Sequence, residues 1–205
     1  MRDVTLGGLR VRITDGDDGG PLIVLLHGFG APGDDLVPLV NVFDVPPGTR
    51  FAFPEAPLDL PPSFGIGGAR AWWMIDFEKL EQAMSGAGPR DIAGEQPDGL
   101  PGARSLVIAM LEALQEEVGA PPERTVLGGF SQGAMLSCDV ALHTDRPFAG
   151  LVRMPEIGTS GSVGAPGAAR GNPTTARVAY RRASLNWPRY RRSRRSSWSF
   201  LPAFS

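Results

Sequence analysis

Thr125-Val126-Leu127-Gly128-Gly129-Phe130-Ser131-Gln132-Gly133-Ala134-Met135 decides the fold. It opens as an apolar, β-branched run, turns between Gly129 and Gly133, and continues as a helix-forming segment from Ala134 to His143. A serine within Gly-x-Ser-x-Gly, set between a strand and a helix, has the pattern of a nucleophile elbow, which presents the hydroxyl at the end of a sheet. Such a turn crowds the backbone, so residues without side chains are wanted two before and two after the serine. In a chain with 27 glycines the bare pattern would carry little weight. Its place between a strand and a helix gives it meaning.

Upstream, Pro21-Leu22-Ile23-Val24-Leu25-Leu26 is a continuous apolar run, suited to a central strand buried on both faces, and it stops at the loop His27-Gly28-Phe29-Gly30. Leu9-Arg10-Val11-Arg12-Ile13 alternates and reads as an opening strand. Asp34 and Asp35 are placed to cap a helix through Leu36, Leu39 and Val42, and Arg50-Phe51-Ala52-Phe53 is a short strand. Residues 77–84 read as helix and 85–101 as a Gly/Pro-rich loop. From Ala103 to Val118 the apolar residues Leu106, Met110, Leu111 and Leu114 share one helical face. Ala149-Gly150-Leu151-Val152 begins one more strand. Strands alternating with helices, in a pattern that dissolves after about Val152, predict a doubly wound, mostly parallel α/β sheet that lacks its C-terminal strands.

The bulk properties narrow the function. At 205 residues, 42% apolar and 20% charged, residues 1–151 are read as one globular core. No apolar run approaches 18 residues and no export signal opens the chain, so no membrane insertion is expected. One cysteine, Cys138, excludes an internal disulfide framework and fits a reducing, cytoplasmic setting. With only two histidines, His27 and His143, the chain offers a poor zinc set, and no metal or cofactor is expected.

The net charge of −2 hides a split. Residues 1–151 hold 10 Lys+Arg against 21 Asp+Glu, a net −11, whereas residues 152–205 hold 10 arginines against Glu156 alone, a net +9. Residues 158–176 are mostly Gly, Ser, Ala, Thr and Pro, and 177–198 mostly Arg, Ser, Tyr and Trp, with no period able to bury a strand. Residues 152–205 are therefore read as a basic tail, disordered or translated from a shifted reading frame. A tail holding RNA, DNA or an acidic membrane through Arg191, Arg192, Arg194 and Arg195, with Tyr190 and Trp198 stacking, is the rival reading. No nucleic-acid-binding fold signal accompanies it, so no nucleic-acid partner is expected.

Leu26-His27-Gly28-Phe29-Gly30, Phe53-Pro54-Glu55-Ala56-Pro57, Arg70-Ala71-Trp72-Trp73-Met74-Ile75-Asp76 and Gly129-Phe130-Ser131-Gln132-Gly133 occur in an order that resembles the phospholipase/carboxylesterase family of α/β-hydrolases, which includes the acyl-protein thioesterases. The likeness covers about residues 9–152. It implies an α/β-hydrolase fold and a lidless serine esterase acting on a small-molecule ester, lysophospholipid or thioester, with a homodimer as the assembly left open. By that resemblance Ser131 is the nucleophile, the backbone N–H groups of Phe29 and Gln132 form the oxyanion hole, and the loop with Trp72, Trp73 and Asp76 flanks the acyl site. The family also places an Asp on a strand after the elbow helix and a general-base His in a later Gly-His segment. Here His143 is the only histidine after Ser131, and no aspartate follows Asp145. Twelve residues of helix at about 1.5 Å each put His143 roughly 18 Å from Ser131, far beyond the ~3 Å reach of a base. His27 is nearer, and the family gives it a loop-supporting role. The catalytic Asp and His are thus missing from this chain, and two other outcomes stand beside an enzyme: a non-catalytic acyl- or ester-binding remnant, or a defective truncated product.

A shifted frame makes a prediction at the level of the gene. Translating one of the other two frames beyond codon 151 should yield an aspartate followed by a Gly-His segment; if neither frame does, that origin of the tail is excluded.

Overall fold

The computed structural model describes residues 1–64, 67–76 and 96–154, together with the backbone of 177–179. Nine strands are seen among these residues: β1 Arg2–Leu6, β2 Leu9–Ile13, β3 Leu22–Leu26, β4 Arg50–Pro54, β5 Leu58–Asp59, β6 Arg70–Ala71, β7 Thr125–Phe130, β8 Gly150–Met154 and β9 Arg177–Ala179. Two α-helices accompany them, α1 Leu100–Val118 and α2 Gln132–Leu142. The main sheet runs β1-β2-β4-β3-β7-β8-β9, and β5 and β6 form a separate small hairpin. β4, β3, β7 and β8 are mutually parallel, while β1, β2 and β9 add antiparallel pairings at the two sides.

The apolar runs explain the centre. β3 and β7 are buried along nearly their whole length because a parallel strand is covered on both faces. On one face α1 and α2 bring Val107, Met110, Leu111, Leu114, Leu136 and Val140 against Val24, Leu26 and Leu127. On the other, Leu25, Phe51, Phe53, Val152 and Met154 pack with Leu36 and the partly buried Val37, Val40 and Phe43. The expected two-sided, mostly parallel α/β sheet is what the chain adopts. α1 ends at Gly119, whose φ of 63° is the left-handed C-terminal geometry that glycine tolerates. Arg104 pairs with Asp139 and ties α1 to α2.

Three local expectations need correction. The segment after Asp34 and Asp35 is a 3-10 turn, Val37–Asn41, with Leu36 as its cap and no side-chain capping bond. β1 and the β5–β6 hairpin were not legible, since one is largely exposed and the other sits in a Pro/Gly-rich stretch. β9 pairs with β8 inside the region read as unable to form a strand, because a ladder of backbone hydrogen bonds needs no side-chain period. The helix expected over 77–84 lies outside the described residues. Among those described, no helix is long and apolar enough to cross a membrane.

The core and surface of the helices separate cleanly by burial. Leu114→Ala on the fully buried face of α1 should lower stability by about 2–5 kcal/mol in urea denaturation. Leu142→Ala, at a side chain 84% exposed at the end of α2, should change it by less than about 0.5 kcal/mol.

Candidate active site

β7 delivers the chain to Ser131 and α2 departs at Gln132, so the serine stands at the C-terminal edge of the parallel strands. Ser131 has φ 48° and ψ −115°, and is the single non-glycine residue with positive φ among those described. Holding a side chain there costs about 1–3 kcal/mol, which the surroundings must over-determine. They do so by contact. A Cβ added to Gly129 would lie 2.5 Å from the Leu26 carbonyl oxygen and 2.6 Å from the Gly133 carbonyl carbon. One added to Gly133 would collide with the Leu26 carbonyl and sit 2.6 Å from the His27 oxygen. The amides of Ala134 and Met135 close the first helical turn onto the Ser131 carbonyl at 2.9 and 3.1 Å.

The loop after β3 lies directly over this turn. A Cβ on Gly28 would be 3.0 Å from the Phe130 ring and 3.5 Å from Ser131 Cβ. Phe29 is half-buried, packs on Leu60, Ala69 and Ala71, and meets Phe64 edge-on with ring centres 6.0 Å apart. Gly30 takes φ 77°, and its N–H donates to the Arg70 carbonyl at 2.9 Å. The Arg70 N–H returns to the Ala31 carbonyl at 3.1 Å. The backbone immediately after Phe29 is therefore pinned.

A buried polar cluster joins the loop to the elbow. The fully buried Gln132 side chain accepts the Trp72 N–H at Oε1 (2.9 Å) and donates from Nε2 to the Trp73 carbonyl (2.8 Å). The Trp72 indole N–H donates to the His27 carbonyl at 2.9 Å, and the two rings lie 5.6 Å apart. Trp72 and Trp73, expected to flank the acyl site, are both buried, 2% and 3% exposed, and the Trp72 indole holds the loop through the His27 carbonyl. Asp76, expected beside the acyl site, is exposed and is the last described residue before 96. The Gln132 side chain was missed as a brace, although a polar residue of fixed position beside the nucleophile is the signal for it.

His27 is 2% exposed, and both ring nitrogens are engaged. Nε2 lies 3.1 Å from the Ala56 N–H, which only donates, and Nδ1 lies 2.9 Å from the Gly28 carbonyl, which only accepts. Those partners assign the neutral Nδ1–H tautomer. Burial holds the imidazole pKa below its ordinary value, against the raising effect of the Gly28 carbonyl. No lone pair is left on this ring for a serine proton. His143 caps the far end of α2, half-exposed, with Nδ1 2.9 Å from the Asp139 carbonyl and 3.2 Å from its Oδ1. The two histidines of the chain are thus committed elsewhere. A depression of about 380 Å³ between Glu112, Gln115, Pro121 and Arg146 lies where β7 begins, a strand's length from Ser131, and its Arg146 is already held by Glu112 and Gln115. Among the described residues no group of three His, Cys, Asp or Glu side chains is arranged to hold a metal.

Comparison with known proteins follows the same lines. Residues 12–173 match the profile of the Phospholipase/Carboxylesterase family, further along the chain than the motifs alone reach. Acyl-protein thioesterase 1 of Cryptococcus neoformans is 30% identical over 135 residues, covering 64% of this chain and 52% of that protein. The crystal structure of esterase PE8 shares 31% identity at a TM-score of 0.54, covering 69% of this chain and 60% of that one. The Bacillus cereus carboxylesterase superposes with a TM-score of 0.51 over 72% of this chain and 60% of its own, at 19% identity a likeness of fold alone. The chain spans about half the length of the curated relatives it matches.

The buried neutral imidazole has a pH signature. Its folded-state pKa is depressed, so the unfolded chain takes up the proton first, and the stability His27 contributes is complete above the ordinary imidazole pKa of about 6.5 and is lost as pH falls below it. The stability gap between wild type and His27→Gln, read by urea denaturation, should therefore be widest near pH ~7.5 and narrow toward ~5.5. A gap independent of pH would exclude the neutral tautomer.

Proposed function

The chain belongs to the phospholipase/carboxylesterase family of α/β-hydrolases, and from that premise we propose that it is a carboxylic-ester hydrolase acting through Ser131. The observation that carries this reading is the strained backbone of Ser131, φ 48°, held between β7 and α2 beneath the Gly28–Phe29 loop. In the proposed reaction Ser131 Oγ attacks the acyl carbon of a small ester, lysophospholipid or thioester. The carbonyl oxygen becomes the oxyanion of a tetrahedral intermediate and accepts hydrogen bonds from the backbone N–H groups of Phe29 and Gln132, each of which lowers the barrier by about 3–4 kcal/mol. Collapse expels the alcohol or thiol and leaves an acyl-serine ester, which water cleaves to the free acid. Trp72, Trp73 and the Gln132 side chain act through the loop they support, and Asp76, exposed beyond them, borders the acyl side.

The proton of Ser131 is the weak link. Neither imidazole is placed to take that proton: the nitrogens of His27 are bound to Gly28 and Ala56, and His143 stands at the other end of α2. Serine hydrolases stripped of a triad member retain roughly 10³–10⁴-fold acceleration over water from binding and the oxyanion hole. The same commitment of both imidazoles favours a second reading, in which the cleft binds esters without turnover. We read residues 1–151 as the working core in a reducing, cytoplasmic setting and the basic stretch from 152 as the place where the family's acid and base were lost.

A fluorophosphonate probe distinguishes the readings. Slow labelling of the intact chain that disappears in Ser131→Ala, with p-nitrophenyl acetate turnover no more than about 10⁴-fold over water, supports the base-deficient hydrolase. Labelling that persists in Ser131→Ala would refute the assignment, and a cooperatively melting chain without label would leave the binder.

A further inference from the structure

We propose that Glu55 and Arg70 are positioning residues for the oxyanion side of the site: their ion pair fixes the loop that carries the Phe29 amide to the rigid end of β4. The proposal rests on the reading of Ser131 and Phe29 given above. Glu55 follows β4 directly, and its own N–H donates to the Arg10 carbonyl at 2.8 Å, so its backbone belongs to the sheet. Its side chain is only 10% exposed and meets three arginines. Oε2 accepts a hydrogen bond from Arg12 Nη1 at 3.1 Å, with Arg10 Nη1 at 3.9 Å, and Oε1 lies 2.6 Å from Arg70 Nη2. Arg10 and Arg12 sit on the neighbouring strand β2 and suffice to balance the buried carboxylate.

Arg70 differs from them because it belongs to the β5–β6 hairpin and not to the main sheet. Its peptide group holds the catalytic loop from both directions, accepting from the Gly30 N–H at 2.9 Å and donating to the Ala31 carbonyl at 3.1 Å. The returning limb of that loop rests on the same carboxylate, since a Cβ on Gly33 would lie 2.5 Å from Glu55 Cγ. The loop contains Gly28, Gly30 and Gly33, residues that lose the most backbone freedom when ordered, so its geometry must be imposed from outside. A continuous path runs from β4 through the Glu55 carboxylate, the Arg70 guanidinium and the Arg70 peptide to the residue beside Phe29. A displacement of about 1 Å in a positioned catalytic group is enough to cost on the order of 10²-fold in rate. A pair that served only to stabilise the hairpin would change melting but not the local order of this loop.

The test uses the full-length chain and the variants Arg70→Met, which leaves Glu55 with Arg12 and Arg10, Arg70→Lys, which keeps a cation but loses the planar fork, and Glu55→Gln. Asp59→Asn, which removes an exposed second partner of Arg70, is the control. Amide hydrogen exchange should accelerate at Gly30 and Ala31 by about tenfold relative to the amides of β7 in Arg70→Met and Glu55→Gln, less in Arg70→Lys, and not in Asp59→Asn. Fluorophosphonate labelling should slow by about tenfold in its rate constant at saturating probe, with half-saturation unchanged. Exchange at Gly30 that moves only in step with β7, or labelling within about twofold of wild type in all variants, overturns the proposal. If the wild-type chain takes no label, the reading of Ser131 fails on its own, and exchange at Gly30 alone decides the role of the pair.

Discussion

The carbonyl oxygens of Leu26 and His27 lie against the bare Cα atoms of Gly129 and Gly133, and the rest of this end of the sheet is built around that contact. The parallel register that sets Leu26 opposite Gly129 brings the last residue of β3 to the turn after β7. A methyl group on either glycine would separate the strands or unwind the turn, so two absent side chains permit the bend. The bend in turn forces Ser131 to φ 48°, a conformation it would not choose alone. Because β3 and β7 are buried along most of their length, the sheet can hold a strained residue at its edge without yielding. The strain is local, and the rigidity that maintains it is global.

Around that bend the buried polar groups do what apolar packing cannot. His27, Gln132 and the main chain of Trp72, Trp73 and Ala56 come from four separate stretches of sequence, and their hydrogen bonds each have one satisfactory geometry. Among the described residues no buried side-chain nitrogen or oxygen is left unpaired. A fully satisfied network in a low-dielectric interior selects one arrangement sharply, because any shift exposes a group with no substitute partner. His27 illustrates the consequence. An imidazole beside a nucleophilic serine invites the role of base, yet here the ring is a two-ended brace with its proton fixed toward Gly28. Proximity and residue type are insufficient when both nitrogens already have work.

The parts legible in the sequence were those with a strong period or a steric necessity. The run Leu22–Leu26, the amphipathic stretch inside α1, and the glycines flanking Ser131 each had one sensible reading. β1 was hidden because a largely exposed edge strand carries no clean apolar alternation. The helix sought after Asp34 is a 3-10 turn with Leu36 at its cap, and neither aspartate makes the side-chain capping bond that the sequence suggested. The burial of Trp72 and Trp73 was not legible, since it depends on partners for their N–H and C=O groups that lie far away in sequence. Glu55 and Arg70 looked like motif residues without a task, since their relation depends on a hairpin whose strands are two residues each.

The two halves of a serine hydrolase's chemistry are drawn from different parts of this chain. In the proposed reaction β3, the loop over it, β7 and the start of α2 would supply the hydroxyl and the amide donors, and all of them lie before residue 152. Family members take the acid and base from strands and loops after the elbow helix, the stretch in which this chain turns from a net −11 to a net +9. The packing that imposes the Ser131 conformation involves Leu26, His27, Gly129 and Gly133, none of which needs the later strands. β8 does touch the elbow strand, where the carbonyl and Cβ of Val152 close on Gly128, three residues before Ser131. In the proposed reading the strained serine therefore stands independently of the later strands. A site of that kind would prefer an oxyanion through fixed dipoles, whereas creating the oxyanion quickly needs a proton acceptor.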